Sequence, residues 1–277
     1  MNFQYWNIGL DIQPGKITAL GLQPRGRGWL LRHWWQHPYH CPQADPLDIS
    51  TRQQTLLPLL LHWKTLLPVR ASLRVGLPPH LVLQCEVPVP THVLREPACG
   101  HYLRAAAQQL VPEGMGPLSV DYQRPERHGR SAAVTIASRE ALAPWRQLFR
   151  KAGLKPAVFE LMPASLAVAL ATARPPCSGI VVYCSDEFWV WAVNVKGTLS
   201  HGWQYRQYYP DAEAVCRSQS PQSGVRYFCS DAGLPPPPGF RLFQPLSAIT
   251  HRYPPQPINE SSFALAAGLA LRREDDL

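Results

Sequence analysis

The chain has 277 residues, 45% of them hydrophobic and 17% charged, and a formal net charge of +8. This balance excludes a disordered chain and suits one large globular domain or two smaller lobes. The basic residues are scattered rather than blocked, which describes a generic basic surface; nucleic acid and an anionic membrane leaflet are the partners such a charge would suit.

Residues 7–12, 16–22 and 28–36 read as three strands of an antiparallel meander, separated by the turn signals "QPGK" and "QPRGRG". The Asp-, Pro- and Ser-rich segment 45–50 offers N-caps for a helix to about residue 67. Leucines 56, 57, 60, 61 and 67 give it an apolar stripe, and Pro58 is expected near its first turn. Two strands follow around Pro78-Pro79, and residues 93–110 read as a helix. "LSVDYQRP" and "SAAVTIAS" are strands, and "REALAPWRQLFRKAGL" is an amphipathic helix ended by Gly153. "KPAVFELMPASLAVALATA" is a strand ending in Glu160 and then an Ala/Leu helix. At about residue 175 the pattern restarts as a second three-strand meander, with Gly197 in its second turn, which points to a duplicated architecture. Residues 209–238 are rich in Pro, Ser and Asp and read as loop. Ser261 or Ser262 is the expected cap of a last helix, "FALAAGLALRRE".

Seven cysteines, none in a C-x-x-C pair and several inside apolar runs, fit a reducing compartment. No basic segment followed by a long apolar stretch opens the chain, and the leucine-rich run at 56–67 is too short and interrupted to span a bilayer. The expectation is a soluble, cytoplasmic protein. In "HWWQHPYHC", strand alternation would send the histidines and Cys41 to opposite faces, so no metal site is expected there. Trp29, Trp34, Trp35, Trp189, Trp191, Trp203 and Tyr205 suit core packing first, and stacking on single-stranded nucleic acid or a protein-binding surface second.

Five segments carry a family likeness in order along nearly the whole chain: "GLDIQPGKITAL" at 9–20, "VGLPPHLVLQCEVPVP" at 75–90, "DYQ" at 121–123, "LFRKAGLKPAVFEL" at 148–161 and "FALAAGLALR" at 263–272. Together they resemble the PilM family, actin-like cytoplasmic proteins of type IV pilus assembly on a branch near FtsA. The likeness is greatest to its short, divergent enterobacterial members, which are associated with using external DNA as a nutrient. The resemblance implies an α/β, two-lobed actin-like ATPase (ribonuclease H-like) fold. Its parts would be a first lobe at 1–86, a small inserted α/β subdomain at 87–158, and a second lobe at 159–277 with a reduced peripheral subdomain.

The resemblance also places a nucleotide site, and the residues there are depleted. Asp11 and Lys16 match the family's first phosphate loop, but Pro14 removes a backbone donor and Gln13 replaces a small glycine. Glu160 falls on the first inter-lobe acid, while Met162 replaces the second. Tyr183-Cys184-Ser185 stands where the second hairpin carries Asp-Ile-Gly, and of the adenosine strand's glycines only Gly233 survives, in "YFCSDAGLPPPPG". Asp11, Lys16, Glu160 and Gly233 are therefore candidates for a degenerate nucleotide site. Asp11 and Glu160 have structural roles as alternatives, in a turn and in a helix cap. No catalytic residue, metal or resident cofactor is expected, with residual ATP and Mg²⁺ binding as the alternative.

By resemblance the chain is an adaptor and pseudo-ATPase. Its partner would be the cytoplasmic N-terminal tail of a bitopic PilN-like inner-membrane protein, received near segments 75–105 and 118–160. The first alternative is a nucleotide-gated Mg-ATPase. The second, motivated by the arginines, is direct binding of nucleic acid.

Overall fold

A computed structural model of the chain describes residues 5–41, 45–90, 96–112, 116–123, 131–173, 179–219 and 224–273. It divides into two compact units, Met1–Pro78 with Ala152–Leu277, and Pro79–Lys151. The larger unit opens with the meander β1 (Trp6–Gln13), β2 (Lys16–Arg25) and β3 (Gly28–Pro38), followed by α1 (Ile49–Thr65) and β4 (Ala71–Leu77). Gln13 pairs with Lys16 across a two-residue turn. Pro14 presets φ there and Gly15 takes a φ of +76°, the combination a type II turn requires.

The smaller unit holds β5 (Val82–Pro88), α2 (Ala98–Leu110), β6 (Leu118–Tyr122), β7 (Ser131–Ser138) and α3 (Arg139–Lys151). Its antiparallel sheet has the order β5-β7-β6. Val87, Ala132, Val134 and Ile136 pack with Cys99, Leu103 and Ala107 of α2 into its own core.

The chain then returns to the larger unit with β8 (Pro156–Leu161), α4 (Met162–Ala173), β9 (Gly179–Cys184), β10 (Phe188–Val195), β11 (Thr198–Tyr205), α5 (Ala212–Ser218), β12 (Val225–Ser230), β13 (Arg241–Leu242) and α6 (Ala264–Leu271). The two five-stranded sheets of this unit have the orders β3-β2-β1-β4-β8 and β11-β10-β9-β12-β13. In each, an antiparallel meander is extended by two parallel strands from its first member. The duplicated architecture expected from the two meanders is present.

Helices α4 and α6 pack on each other, α6 against β1 and β2 and α4 against β10 and β11. Glycines set these distances: a Cβ at Gly268 of α6 would overlap the Ser165 carbonyl of α4, and one at Gly9 of β1 would overlap the Ala266 carbonyl of α6. The second sheet is covered on both faces, as its alternation dictates. Val181, Tyr183, Val190 and Ala192 join the α4 side, while Ile180, Val182, Trp189 and Trp191 join α5.

Several local expectations are corrected. Pro58 lies inside α1 rather than in its first turn; Leu56, Leu60 and Trp63 are buried on either side and hold the helix through it. The segment read as loop at 209–238 contains α5, capped by Asp211, whose side chain accepts from the Ala214 N–H at 2.7 Å, and it contains the mostly buried strand β12. Neither Ser261 nor Ser262 caps α6: both lie in a preceding 3₁₀ turn and bond to Asn259. The helix expected from residue 93 begins at Ala98, and residues 91–95 fall outside the described residues.

Candidate functional site

Alternation along β1 puts Asp11 on the face of Gly9, toward the helices between the sheets. The carboxylate is buried, and its Oδ1 accepts from Gln13 Nε2 at 2.9 Å. Gln13 Nε2 also lies 3.5 Å from Met162 Sδ at the start of α4. Lys16, across the turn, reaches the second sheet, where its Nζ donates to the carbonyl of Asp231 just past β12.

The turn itself is held from below. The Tyr39 hydroxyl donates to the Gln13 carbonyl at 2.6 Å and accepts from Arg52 Nη1 at 2.9 Å, while Arg52 Nη2 donates to the Leu47 carbonyl at 3.2 Å. Arg52 is fully buried, and this bonding is what a buried guanidinium requires.

In the facing hairpin from β9 to β10, the Ser185 and Phe188 N–H groups bond internally. The Phe188 N–H donates to Ser185 Oγ and the Ser185 N–H to the Phe188 carbonyl, each at 3.0 Å. Arg206 donates to the Ser185 carbonyl at 3.2 Å and lies 5.7 Å from the centre of the Trp189 ring. Tyr183 is wholly buried in the core shared with Met162, Leu166 and Phe188. Its hydroxyl and that of Thr18, the cross-strand partner of Asp11, have no hydrogen-bond partner among the described residues.

The electrostatics follow from burying this cluster. Burial pushes the Asp11 carboxyl from 3.8 up to about 7; the Gln13 bond opposes that rise, the charge of Asp231 adds to it, and Lys16 opposes it. Burial likewise raises Asp231, with the neighbouring Asp186 adding to it and Lys16 countering. The Lys16 ammonium is lowered by burial and raised by Asp231, Asp11 and Asp186. Burial holds the Tyr183 phenol well above its ordinary range, reinforced by Asp231 and Asp11.

A triphosphate with Mg²⁺ does not suit these residues. Such a site needs small residues with backbone N–H groups turned to the phosphates and an ionised carboxylate free to order the metal's waters. Here Asp11 is buried and bonded by Gln13, Lys16 is engaged with the chain itself, Pro14 has no N–H, and the opposite turn closes on its own serine.

Of the four residues singled out from sequence, the structure brings Asp11 and Lys16 together. Gly233 sits two residues beyond Asp231 with a φ of +69°, its Cα against the Asn259 side chain. Glu160 is turned elsewhere: Oε1 accepts from the Leu161 N–H at 2.9 Å and Oε2 from Arg272 Nε at 2.5 Å. Arg272 follows α6, and buried Arg74 of β4 donates to the carbonyls of Leu269, Ala270 and Arg272, which satisfies the end of that helix. Asp231, Asp186, Arg52 and Arg74 are important here and were not singled out. The "SDAG" stretch contained the first, but only the parallel pairing of β12 with β9 carries Asp231 toward Lys16.

Along 272 residues, 98% of this chain and 98% of the relative, the chain is 25% identical to the DNA utilization protein HofM of Escherichia coli (strain K12). Among solved structures it is similar to a PilM-PilN type IV pilus biogenesis complex, with a TM-score of 0.67, 17% identity, and 95% of this chain and 97% of that one covered. It is also similar to the cytoplasmic domain of EpsL, an inner-membrane component of the type II secretion system of Vibrio cholerae, with a TM-score of 0.55, 12% identity, and coverage of 98% and 96%. No protein-family model matches. The chain is a homologue of HofM, similar to it from end to end, and is built on the actin-like ATPase fold seen in PilM.

Proposed function

We propose that this chain is a nucleotide-independent adaptor, a pseudo-ATPase of a type IV pilus- or secretion-type apparatus that serves the use of extracellular DNA. Its partner is the cytoplasmic N-terminal tail of a bitopic PilN-like inner-membrane protein, and through that partner it works in the cytoplasm at the membrane surface. Among the described residues no helix is long and apolar enough to cross a membrane, which is compatible with anchoring through a partner. The full-length likeness to PilM in its complex with PilN supports the choice of partner.

The observation that carries the nucleotide-independent part is the engagement of Lys16 with the Asp231 carbonyl. The cation that would meet a phosphate already links the two sheets. In the smaller unit, β5 and β6 are the outer strands of the three-stranded sheet, and such edges suit an extended tail.

The test is a calorimetric titration of the full chain with the tail peptide of its PilN-like partner, with and without Mg-ATP. Equal binding in both arms is the expected result. Binding that requires ATP would overturn the pseudo-ATPase reading, and absence of binding in both arms would overturn the choice of partner.

A further inference from the structure

Strand β3 is the outer strand of the first sheet, and its start is already paired on the far side. His251 bridges Leu30 in parallel, with the Leu31 N–H donating to the His251 carbonyl at 2.9 Å and the His251 N–H to the Trp29 carbonyl at 3.0 Å. The pairing then stops. Pro254 and Pro255 have no N–H to continue a ladder, and Trp34 Nε1 holds the Pro255 carbonyl at 2.9 Å.

Where the pairing stops, a cavity of about 450 Å³ opens between Leu31–Trp34 and Tyr253–Pro255. The β2–β3 register shifts at Arg32, which bulges between Leu31 and His33, and beyond it His33 and Trp34, on opposite faces, both line the cavity, so it lies along the edge of β3. Its ionisable walls carry no acid: Arg32 and His33 line one side, and Tyr253 on the other accepts from Arg25 Nη1 at 3.2 Å. The nearby acid Glu260 is already paired with Arg252 at 2.9 Å. Arg32 is exposed, and its Nε donates to Gln23 Oε1 at 2.6 Å, which steadies the guanidinium beside the groove.

We propose that this groove is a second docking site, one that receives an extended peptide bearing acidic side chains as an added strand on the β3 edge beyond Leu31. The edge supplies main-chain pairing and Arg32 selects the acid. Single-stranded nucleic acid fits less well. The Trp34 indole is edge-on to Phe263 at 6.1 Å and tied to Pro255, which leaves Tyr253 as the exposed ring of the groove, and one such ring does not make the row of stacking platforms that successive bases use.

The probes are three labelled heptapeptides: alternating Val and Glu, its Lys-for-Glu twin, and the Glu peptide with alternate backbone nitrogens methylated. Each is titrated into the isotope-labelled full chain, with amide and indole NMR signals read out. The Glu peptide is expected to shift the amides of residues 31–36 and the Trp34 indole. The Lys twin and the methylated peptide should each bind about tenfold more weakly, and Arg32→Glu, at an exposed position, should reverse the charge preference. Equal binding of the twins, indifference to methylation, shifts confined elsewhere, no binding at millimolar peptide, or displacement by oligo-dT would each overturn the proposal.

Discussion

Two positions on one face of β1 show opposite solutions to burial. Gly9 lets a helix approach until backbone meets backbone, so that the site is filled and apolar. Two residues on, Asp11 buries a carboxylate bonded by Gln13 and exposed to the charge of Asp231, and its affinity for a proton rises accordingly. The first position defines the fold. The second holds a polar cluster inside the core, and it weakens the fold as the carboxyl ionises. The comparison separates what the architecture needs from what it carries at a cost.

The largest effect is expected at the close contacts. Gly268→Ala forces a methyl into the Ser165 carbonyl, a backbone atom that cannot rotate away, and α4 and α6 must separate. The expected loss is about 4 kcal/mol, at the upper end for overpacking, read as a lowered denaturation midpoint. An unchanged midpoint would mean that the two helices are not held at the distance described.

Asp11→Asn should act in the other direction. Asparagine keeps an oxygen for Gln13 and removes the charge. Holding a carboxyl at about 7 instead of 3.8 costs the folded state roughly 4 kcal/mol once pH exceeds 7. The folded chain binds more protons than the unfolded chain between those values, so the parent's stability falls as pH rises from about 4 to about 7. The variant should therefore be more stable than the parent by roughly 3 kcal/mol at pH 8 and by much less at pH 4, as measured by urea melts at both values. A difference independent of pH would remove the buried carboxyl as its cause.

Lys16→Met tests the link between the sheets. It leaves the Asp231 carbonyl without its donor and takes a cation away from both Asp11 and Asp231. A loss of about 1–2 kcal/mol at pH 8 is expected, with faster amide exchange at residues 231–234. The loss should shrink in the Asp11→Asn background, because the two side chains share one electrostatic cluster. Additive losses would show that Lys16 acts only through the carbonyl.

Much of this arrangement was legible in the sequence, for identifiable reasons. The first meander is written in strand-length apolar runs, period-two in β1, broken by "QPGK" and "QPRGRG", and the second lobe repeats the strand-turn-strand order from β9 to β11, with continuous apolar runs in β9 and β10. Tyr183 and Ser185 were also readable as standing where the resemblance expects Asp and Gly. That the Tyr183 phenol feels the charges of Asp231 and Asp11 was not, since the coupling joins residues far apart in the chain. Composition misled in two places. Pro, Ser and Asp around α5 and β12 masked a helix of seven residues and a strand of six. Arginines counted toward a basic surface include Arg52 and Arg74, which are buried and bond to backbone. A guanidinium's burial depends on carbonyls supplied by distant segments, which no local pattern records.

The smallest effect concerns His33 and runs against that of Asp11. Trp63 stacks on Trp35 with ring centres 5.4 Å apart and donates from Nε1 to His33 Nε2 at 3.2 Å, so that nitrogen must be an unprotonated acceptor. Burial holds the His33 imidazole below its ordinary value of 6.5. The unfolded chain then binds the extra proton first, so this contribution to stability is complete above 6.5 and is lost as pH falls toward the folded value. In the parent, the Asp11 carboxyl releases its proton over an overlapping range and hides the trend. In Asp11→Asn the opposing fall is reduced to what Asp231, itself raised by burial, still contributes, and the rise with pH on the acid side of 6.5 from His33, and from His201, lowered chiefly by burial, should emerge against it. His33→Gln keeps an acceptor for the indole but cannot titrate, so adding it to Asp11→Asn should flatten that rise while the chain's tryptophan fluorescence keeps its folded-state maximum. A rise of unchanged steepness would assign the titration to His201 alone.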